Sequence, residues 1–462
     1  MGEMMKLLEE LTPLNRVVCS SDFDITVDRM RQLLPCKVFE YLATAEEHNG
    51  WVIPPKWDIV EATIAKDGQL VYDGTWHPLG VIALSAPFEG TVSLDVLKSH
   101  LHFDHRYPDS LTFHFRQLFR SWDRDWGFCV PKDLYDALEP GEYDVRIVTR
   151  EEPGALKVVV ATHAGTLPYA IALCANLDHP GVANDGLAGV AVGVEVLKRI
   201  ADRQTKFTYK LVLAPGIIGT EYYLGLLPPA ERRQVLECLC LWMLGSRTEL
   251  ALQDSRSARS NMEHALAATM DRRAVPYRRG EFESIIINDE YLWEAYGIPT
   301  CSLSRFPYPE YHSSRDDVSI MSEERLEEAV AVILGAIEEL EATPLVEKRF
   351  EGTICLSNPR YDLYVDPGQV SFGENIGEEQ RKLRMLQDFL PSLQDPVTAR
   401  SLASRFGLAE ATVLGFLMEW ECKGLIRLWD GGSSRSTDKT SPGSAPAYRA
   451  RQGSRSASPG GE

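Results

Sequence analysis

Several things are scarce in this 462-residue chain, and each scarcity excludes something. No apolar run approaches the roughly 20 residues that a membrane-crossing helix needs, so no membrane association is expected. The opening residues Met1–Leu11 carry Glu3, Glu9 and Glu10 in a helical pattern, without a basic or an apolar leader segment. A secretory signal is therefore not expected, and the reading is cytoplasmic. The nine cysteines are odd in number and follow no framework spacing. Cys238 and Cys240 lie two apart on a predicted buried strand, which fits reduced core thiols better than disulfides or a zinc cluster. Positive charge is in deficit, 48 Lys and Arg against 67 Asp and Glu. A net charge of −19 argues against general affinity for nucleic acid or an anionic membrane surface.

What is present has three textures. From about Trp51 to Thr149, short runs such as Ile59–Ala65, Gln69–Tyr72, Gly80–Pro87 and Tyr143–Val148 alternate with Gly, Pro and Asp turns, which predicts a β-rich region. Short helices are expected at Leu97–Leu101 and Lys132–Ala137. From Ala155 to about Leu345 strands alternate with helices, which predicts βα units. Strands are expected at Leu156–Ala161, Ala170–Ala175, Tyr209–Ala214, Cys238–Leu244 and Thr300–Ser304, and helices at Leu187–Ile200 and Ser322–Leu340. Beyond Pro344 an irregular stretch is expected. It leads to helices at Glu378–Leu390, Val397–Phe406 and Glu410–Cys422 and a strand at Leu425–Trp429. From Gly431 the chain is rich in Ser, Gly, Pro and Arg and is expected to be disordered.

Chemistry concentrates in two loops. Asn176-Leu-Asp-His-Pro-Gly-Val-Ala-Asn-Asp-Gly-Leu-Ala-Gly189 follows a predicted strand and precedes a predicted helix, and it sets His179 six residues from Asp185. Ligands of open α/β sheets sit at such loops, and an imidazole beside a carboxylate suits zinc. On spacing alone, a loop histidine and an N-cap-like aspartate explain the stretch equally well. Tyr308-Pro-Glu-Tyr-His-Ser-Ser-Arg-Asp-Asp317 adds His312, and Asn288–Thr300 lies between the two loops.

Taken together these segments resemble the di-zinc aminopeptidase superfamily, which includes the glutaminyl cyclases. The likeness is greatest to a bacterial aminopeptidase-like branch with an inserted β domain and a C-terminal winged helix, often described only as a domain of unknown function. Trp51–Trp57, His77–Pro87, Trp126-Gly-Phe-Cys129, Ala183-Asn-Asp185 and Tyr308–His312 carry the resemblance, which extends to about Asp430. It implies an α/β fold, a mixed sheet flanked by helices. The implied organisation is N-terminal helices of the core at 1–50, a largely inserted β-rich domain at 51–149 and the aminopeptidase-like core at 150–345. A connecting segment at 346–377, a winged helix-like domain at 378–430 and a tail at 431–462 complete it. The implied activity is hydrolysis of an amide at a free amino end of a peptide or aminoacyl substrate. His179, Asp185 and His312 would hold zinc.

Three positions depart from that pattern. Asn176 stands where the branch has His, Gly216 where it has the acidic residue of the base, and Ser246 where it has Asp. Zinc as one or two ions, or none, is therefore open, and so is a non-catalytic binding or scaffold role. Glu221 is the first candidate base, being nearest in sequence to the missing acid, and Asp178 is a candidate substitute ligand. Asp289, Glu310, Tyr311 and His114 are candidate substrate-binding residues. Asp316 is expected to hold the His312 loop and to start the following helix. The cluster His102-Phe-Asp-His-Arg106 looks metal-like but sits in a polar turn, and it is read as structural. The helix Glu410–Cys422 carries Glu410, Glu419 and Glu421 and no Arg or Lys, so the winged helix is read as a packing module rather than a DNA reader. A homo-oligomer is left open.

Overall fold

A computed structural model describes residues 2–43, 47–365 and 377–430. The expectation for the tail from 431 onward, and part of the connecting segment, lie outside the described residues.

The centre is an eight-stranded mixed sheet. Its order is Cys36–Leu42, Ala155–His163, Thr208–Ala214, Ala170–Asn176, Val235–Trp242, Thr300–Ser304, Leu250–Gln253 and Tyr277–Gly280. The four strands Thr208–Ala214, Ala170–Asn176, Val235–Trp242 and Thr300–Ser304 run parallel to one another, so their carboxyl ends open on one edge. Ala170–Asn176 and Val235–Trp242 are buried along their whole length. That is why they read as continuous apolar runs rather than alternating ones.

Helices cover both faces. Leu187–Ile200 and Glu323–Ala342 pack on one of them, the latter through Leu326, Val330, Ile333 and Ile337 at helical spacing. Glu3–Leu11 adds Met4, Leu7, Leu8 and Leu11 to the same core. Ser21–Leu33 is capped by Ser20, whose side chain accepts from Phe23 N–H, and contributes Phe23, Val27 and Met30. Among the described residues, no helix is long and apolar enough to cross a membrane.

Residues 56–152 build a four-stranded antiparallel sheet in the order Gln69–Asp73, Lys56–Lys66, Glu142–Glu152, Phe88–Ser93. The predicted strand at Gly80–Pro87 is a correction. Leu79, Ile82 and Leu84 are buried there as a loop, and the strand follows at Phe88–Ser93. The short helix predicted at Leu97–Leu101 instead spans Leu94–Ser99, because the Ser93 side chain caps it by accepting from Val96 N–H.

The stretch after Pro344 is also corrected. Leu345–Lys348 is a strand, and it is the middle of a three-stranded sheet flanked by Val397–Thr398 and Ile426–Trp429. Around it pack the helices Glu378–Phe389, Ala399–Phe406 and Glu410–Cys422, burying Leu386, Leu402, Val413, Leu417 and Trp420. Glu410 is engaged internally, accepting from Arg400 Nε at 3.0 Å.

Candidate metal centre

The loops that leave the parallel strands at their carboxyl ends meet on one edge of the sheet. Asn176 ends one strand and leads to His179 and Asp185, and the helix begins only at Leu187, with Gly186 in the N-cap position. Asp185 therefore lies before the cap. Residues 305–322 follow the strand Thr300–Ser304 and bring His312 to the same place. Both histidines have left-handed backbones, φ 80° at His179 and 58° at His312. Few residues other than Gly hold that conformation, and such strain gathers at functional sites.

One ligand atom each from His179, Asp185 and His312 lies within 4.8 Å of the other two. Asp185 Oδ2 is 3.1 Å from His312 Nε2 and 3.8 Å from His179 Nε2. Zinc bound at about 2.0–2.1 Å sets neighbouring ligand atoms at comparable separations. Asp185 Oδ2 is buried and forms no hydrogen bond, and its near neighbours are the two imidazoles. A buried carboxylate oxygen is costly unless positive charge, from an ion or a protonated imidazole, completes it. The three donors thus converge on a point between them, and the set fits a divalent ion.

The surroundings fix those donors. On the far side of the His179 ring, Nδ1 sits 3.2 Å from Asp178 Oδ1, so Nε2 is the nitrogen turned to the centre. Such a carboxylate orients a metal-binding imidazole. Asp178 Oδ1 also accepts from Gly216 N–H at 2.8 Å. Burial alone would lower the His179 pKa, but Asp178 and Asp185 raise it to about 9. Burial opposes the charge on Asp185 too, yet the two histidines hold its pKa below the ordinary value.

Asp316 ties the loops together, its Oδ1 accepting from Asn184 N–H at 2.7 Å and its Oδ2 from Asp185 N–H at 3.0 Å and Tyr308 O–H at 2.5 Å. Burial, with Asp185 nearby, pushes it up to about 7. It does not start a helix: Asp317 caps the short 3-10 turn Val318–Ile320, and the α-helix begins at Glu323. The buried Arg16 donates to the carbonyls of His179 and Val182 and pins that turn. No local pattern around Arg16 signalled this.

The region before the core strands contributes a wall. Phe113 N–H donates to the His312 carbonyl at 3.0 Å, and Ser314 N–H donates to that of Leu111 at 2.9 Å. The Phe113 ring meets His179 and His312 edge-on, each at 5.3 Å, and Phe115 meets His312 at 5.1 Å. Tyr311 stacks on His312 at 3.8 Å.

Several predicted residues lie elsewhere. Asp178 orients His179 rather than presenting itself as a ligand of the three-residue group. Glu221 sits on the helix Ile218–Leu226, where Asn49 Nδ2 and Tyr296 O–H donate to its Oε1 at 2.9 and 2.8 Å. No contact joins it to the three donors among the described residues. Asp289 is fully buried, accepting from Ile217 N–H at 2.7 Å and from the Thr220 hydroxyl, and burial raises its pKa well above the usual range. It braces the 216–220 turn and is closed to substrate. His114 faces away from the centre, its ring 4.1 Å from that of His102, because alternate residues of an extended segment point to opposite sides. Asp104 pairs with Arg106 at 2.6 Å, and among the described residues His102 and His105 join no metal-like group. Glu310 is half-buried, two residues before His312 in sequence.

The three departures are visible too. A Cβ at position 216 would come 2.8 Å from Asn176 Nδ2, so Asn176 occupies the space beside Gly216. Asn176 Oδ1 and Ser246 Oγ are buried without partners.

Residues 5–343 match the family described as Domain of unknown function (DUF4910), and the chain belongs to that family. Over 225 residues it is 29% identical to a Clostridium acetobutylicum protein provisionally named a polysaccharide biosynthesis protein with aminopeptidase-like domain. That match takes in 48% of this chain and about half, 51%, of the relative. A crystal structure from Clostridium acetobutylicum, provisionally described as a peptidase, is 21% identical over 93% of this chain and 96% of its own, with a TM-score of 0.71. A zinc aminopeptidase from Bacillus subtilis is 14% identical over 73% of this chain and 94% of its own, with a TM-score of 0.56. At these identities the likeness shows the fold, which is the zinc-aminopeptidase fold.

Proposed function

We propose that this member of the DUF4910 family holds a single zinc ion on His179, Asp185 and His312 and hydrolyses an amide at the free amino end of a peptide or aminoacyl substrate. One observation carries the reading: Asp185 Oδ2 is buried, makes no hydrogen bond, and is set between the Nε2 atoms of two histidines. Two imidazoles and a carboxylate with room for further ligands are a donor set of catalytic zinc. Bound there, zinc would supply a Lewis acid to polarise the amide carbonyl and acidify water.

The rest falls to the chain itself. Asp178 keeps His179 in the tautomer whose Nε2 is free. Phe113, Phe115 and Tyr311 shield the centre from bulk water, which strengthens electrostatic interactions inside it. Burial raises the Tyr311 phenol pKa, so the phenol stays protonated and can donate to a carbonyl oxygen as it gains charge. Glu310, next in sequence to Tyr311, is the carboxylate we assign to the substrate amine. A second zinc is not part of this reading, since Asn176, Gly216 and Ser246 offer weak donors or none.

The rival reading is a binding protein without turnover. It is favoured by Gly216, which leaves the position of the missing base without a side chain. Elemental analysis of protein purified without chelator, with Asp185→Ala alongside, tests the metal. About one zinc per chain, lost in the variant, is expected. A panel of aminoacyl amides then tests turnover, and zinc with no turnover on any of them would favour the rival.

A further inference from the structure

A pocket of about 310 Å³ lies where the region before the core strands meets the turn after Gly216. Asn49, Trp51, Val52, Phe119, Trp122 and Ile218 line it, with Gly50 and Leu118. It is joined to the metal centre by rings: His312 to Phe115 at 5.1 Å, Phe115 to Phe119 at 6.3 Å, and Phe119 to Trp51 at 6.3 Å. Trp122 is 68% exposed and Phe115 38% exposed, so both rings are open to an occupant.

The lining decides between two kinds of occupant. A sugar ring stacks on tryptophan but also needs several hydrogen-bonding groups around its hydroxyls. Here the one polar side chain is Asn49, and its amide already donates to Glu221 at 2.9 Å. The remaining side chains are aromatic or aliphatic, which suits an apolar ring. Two ring-to-ring steps separate His312 from Phe119, a reach on the order of three residues of extended peptide.

We propose that this pocket is a specificity subsite that binds an aromatic side chain carried two or three residues from the hydrolysed amide, so that the preferred substrate is a short peptide rather than a lone aminoacyl group. This rests on the amide-binding reading of the cleft, but its residues are distinct from the metal donors. Trp122 would fold over the incoming ring, with Trp51 and Phe119 as its floor.

Calorimetric titration of the full chain, stripped of metal by a chelator, with Ala-Ala-Phe-Ala and with tetra-alanine tests it without turnover. The phenylalanine peptide is expected to bind roughly tenfold more tightly, as burial of one aromatic ring allows. The preference should disappear in Trp122→Ala, an exposed position whose loss leaves no buried cavity, and in Phe119→Leu, which keeps an apolar side chain. It should survive in Asp185→Ala, which separates this subsite from the metal reading. Equal affinity for the two peptides overturns the proposal whatever the zinc content. So does a methyl pyranoside that binds in a Trp122-dependent manner while neither peptide does.

Discussion

The side chain of Asp316 accepts a hydrogen bond from the backbone N–H of Asp185 at 3.0 Å, across 131 residues of sequence. Asp316 sets the height of Asp185, one of the three candidate donors, and through its own loop stands four residues from another, His312. Replacing it by alanine should free the Asn184–Asp185 backbone and the Tyr308 hydroxyl at once. Partners of this kind are typically worth 10–100-fold in metal affinity. Competition with a fluorescent zinc chelator should show a loss of that size in Asp316→Ala, and an unchanged affinity would remove Asp316 from the centre.

Zinc should stabilise the folded chain. An ion present at 100 times its Kd adds about 2.7 kcal/mol when it binds only the native state. Melting temperature should rise with zinc in the wild type and stay flat in His312→Ala. Equal rises in both proteins would place the ion elsewhere.

Asn176 and Gly216 should be energetically coupled, since a Cβ at 216 would come 2.8 Å from Asn176 Nδ2. Gly216→Ala should destabilise the wild type more than it destabilises Asn176→Ala. A double-mutant cycle by urea denaturation should give a coupling of about 1 kcal/mol, within the range for contacting residues. Additivity would mean that the two positions do not share space.

Glu263 predicts a pH dependence remote from the metal. It lies in the first turn of the helix Asn261–Arg273, with Oε2 accepting from Ser255 N–H at 2.8 Å and Oε1 buried without a partner. Burial raises its pKa to about 7. The folded carboxyl thus keeps its proton where the unfolded one has lost it. Its stabilising contribution is full below the unfolded value near 4.5 and is lost as pH climbs through about 7, on the order of 3 kcal/mol in all. Glu263→Gln should lose less stability than the wild type between pH 5 and pH 8. Parallel melting curves would rule out this assignment.

Much of this was legible in the sequence because it is local. His179 and Asp185 share one loop after an apolar strand, and His312 lies in a recognisable Tyr-Pro-Glu-Tyr-His stretch. The strand Thr300–Ser304 and the helix Glu410–Cys422 fall on their predicted bounds. What escaped depends on distant partners. Glu221 was favoured for its nearness to Gly216, but it lies on the helix after that turn, where Asn49 and Tyr296 claim it. Asp289 looked like a site acid, yet the turn at 217–220 closes over it. Gly80–Pro87 has strand-like composition, but its apolar residues serve a buried loop. The left-handed φ of both histidines is not set by residue type alone, although His adopts it more readily than most non-glycine residues.

The strand Leu345–Lys348 gives the chain's anatomy an unexpected seam. The DUF4910 match ends at residue 343, two residues before it. Yet this strand is laced on both sides by the chain's last described segments. Thr398 N–H, moreover, donates to Asn261 of the core at 2.8 Å. Cutting the chain after residue 343 would part Thr398 from Asn261 and the helix Ala399–Phe406 from the helix Asn261–Arg273 on which it packs. The stretch that matches the family and the stretch tied together by these hydrogen bonds are therefore not the same length.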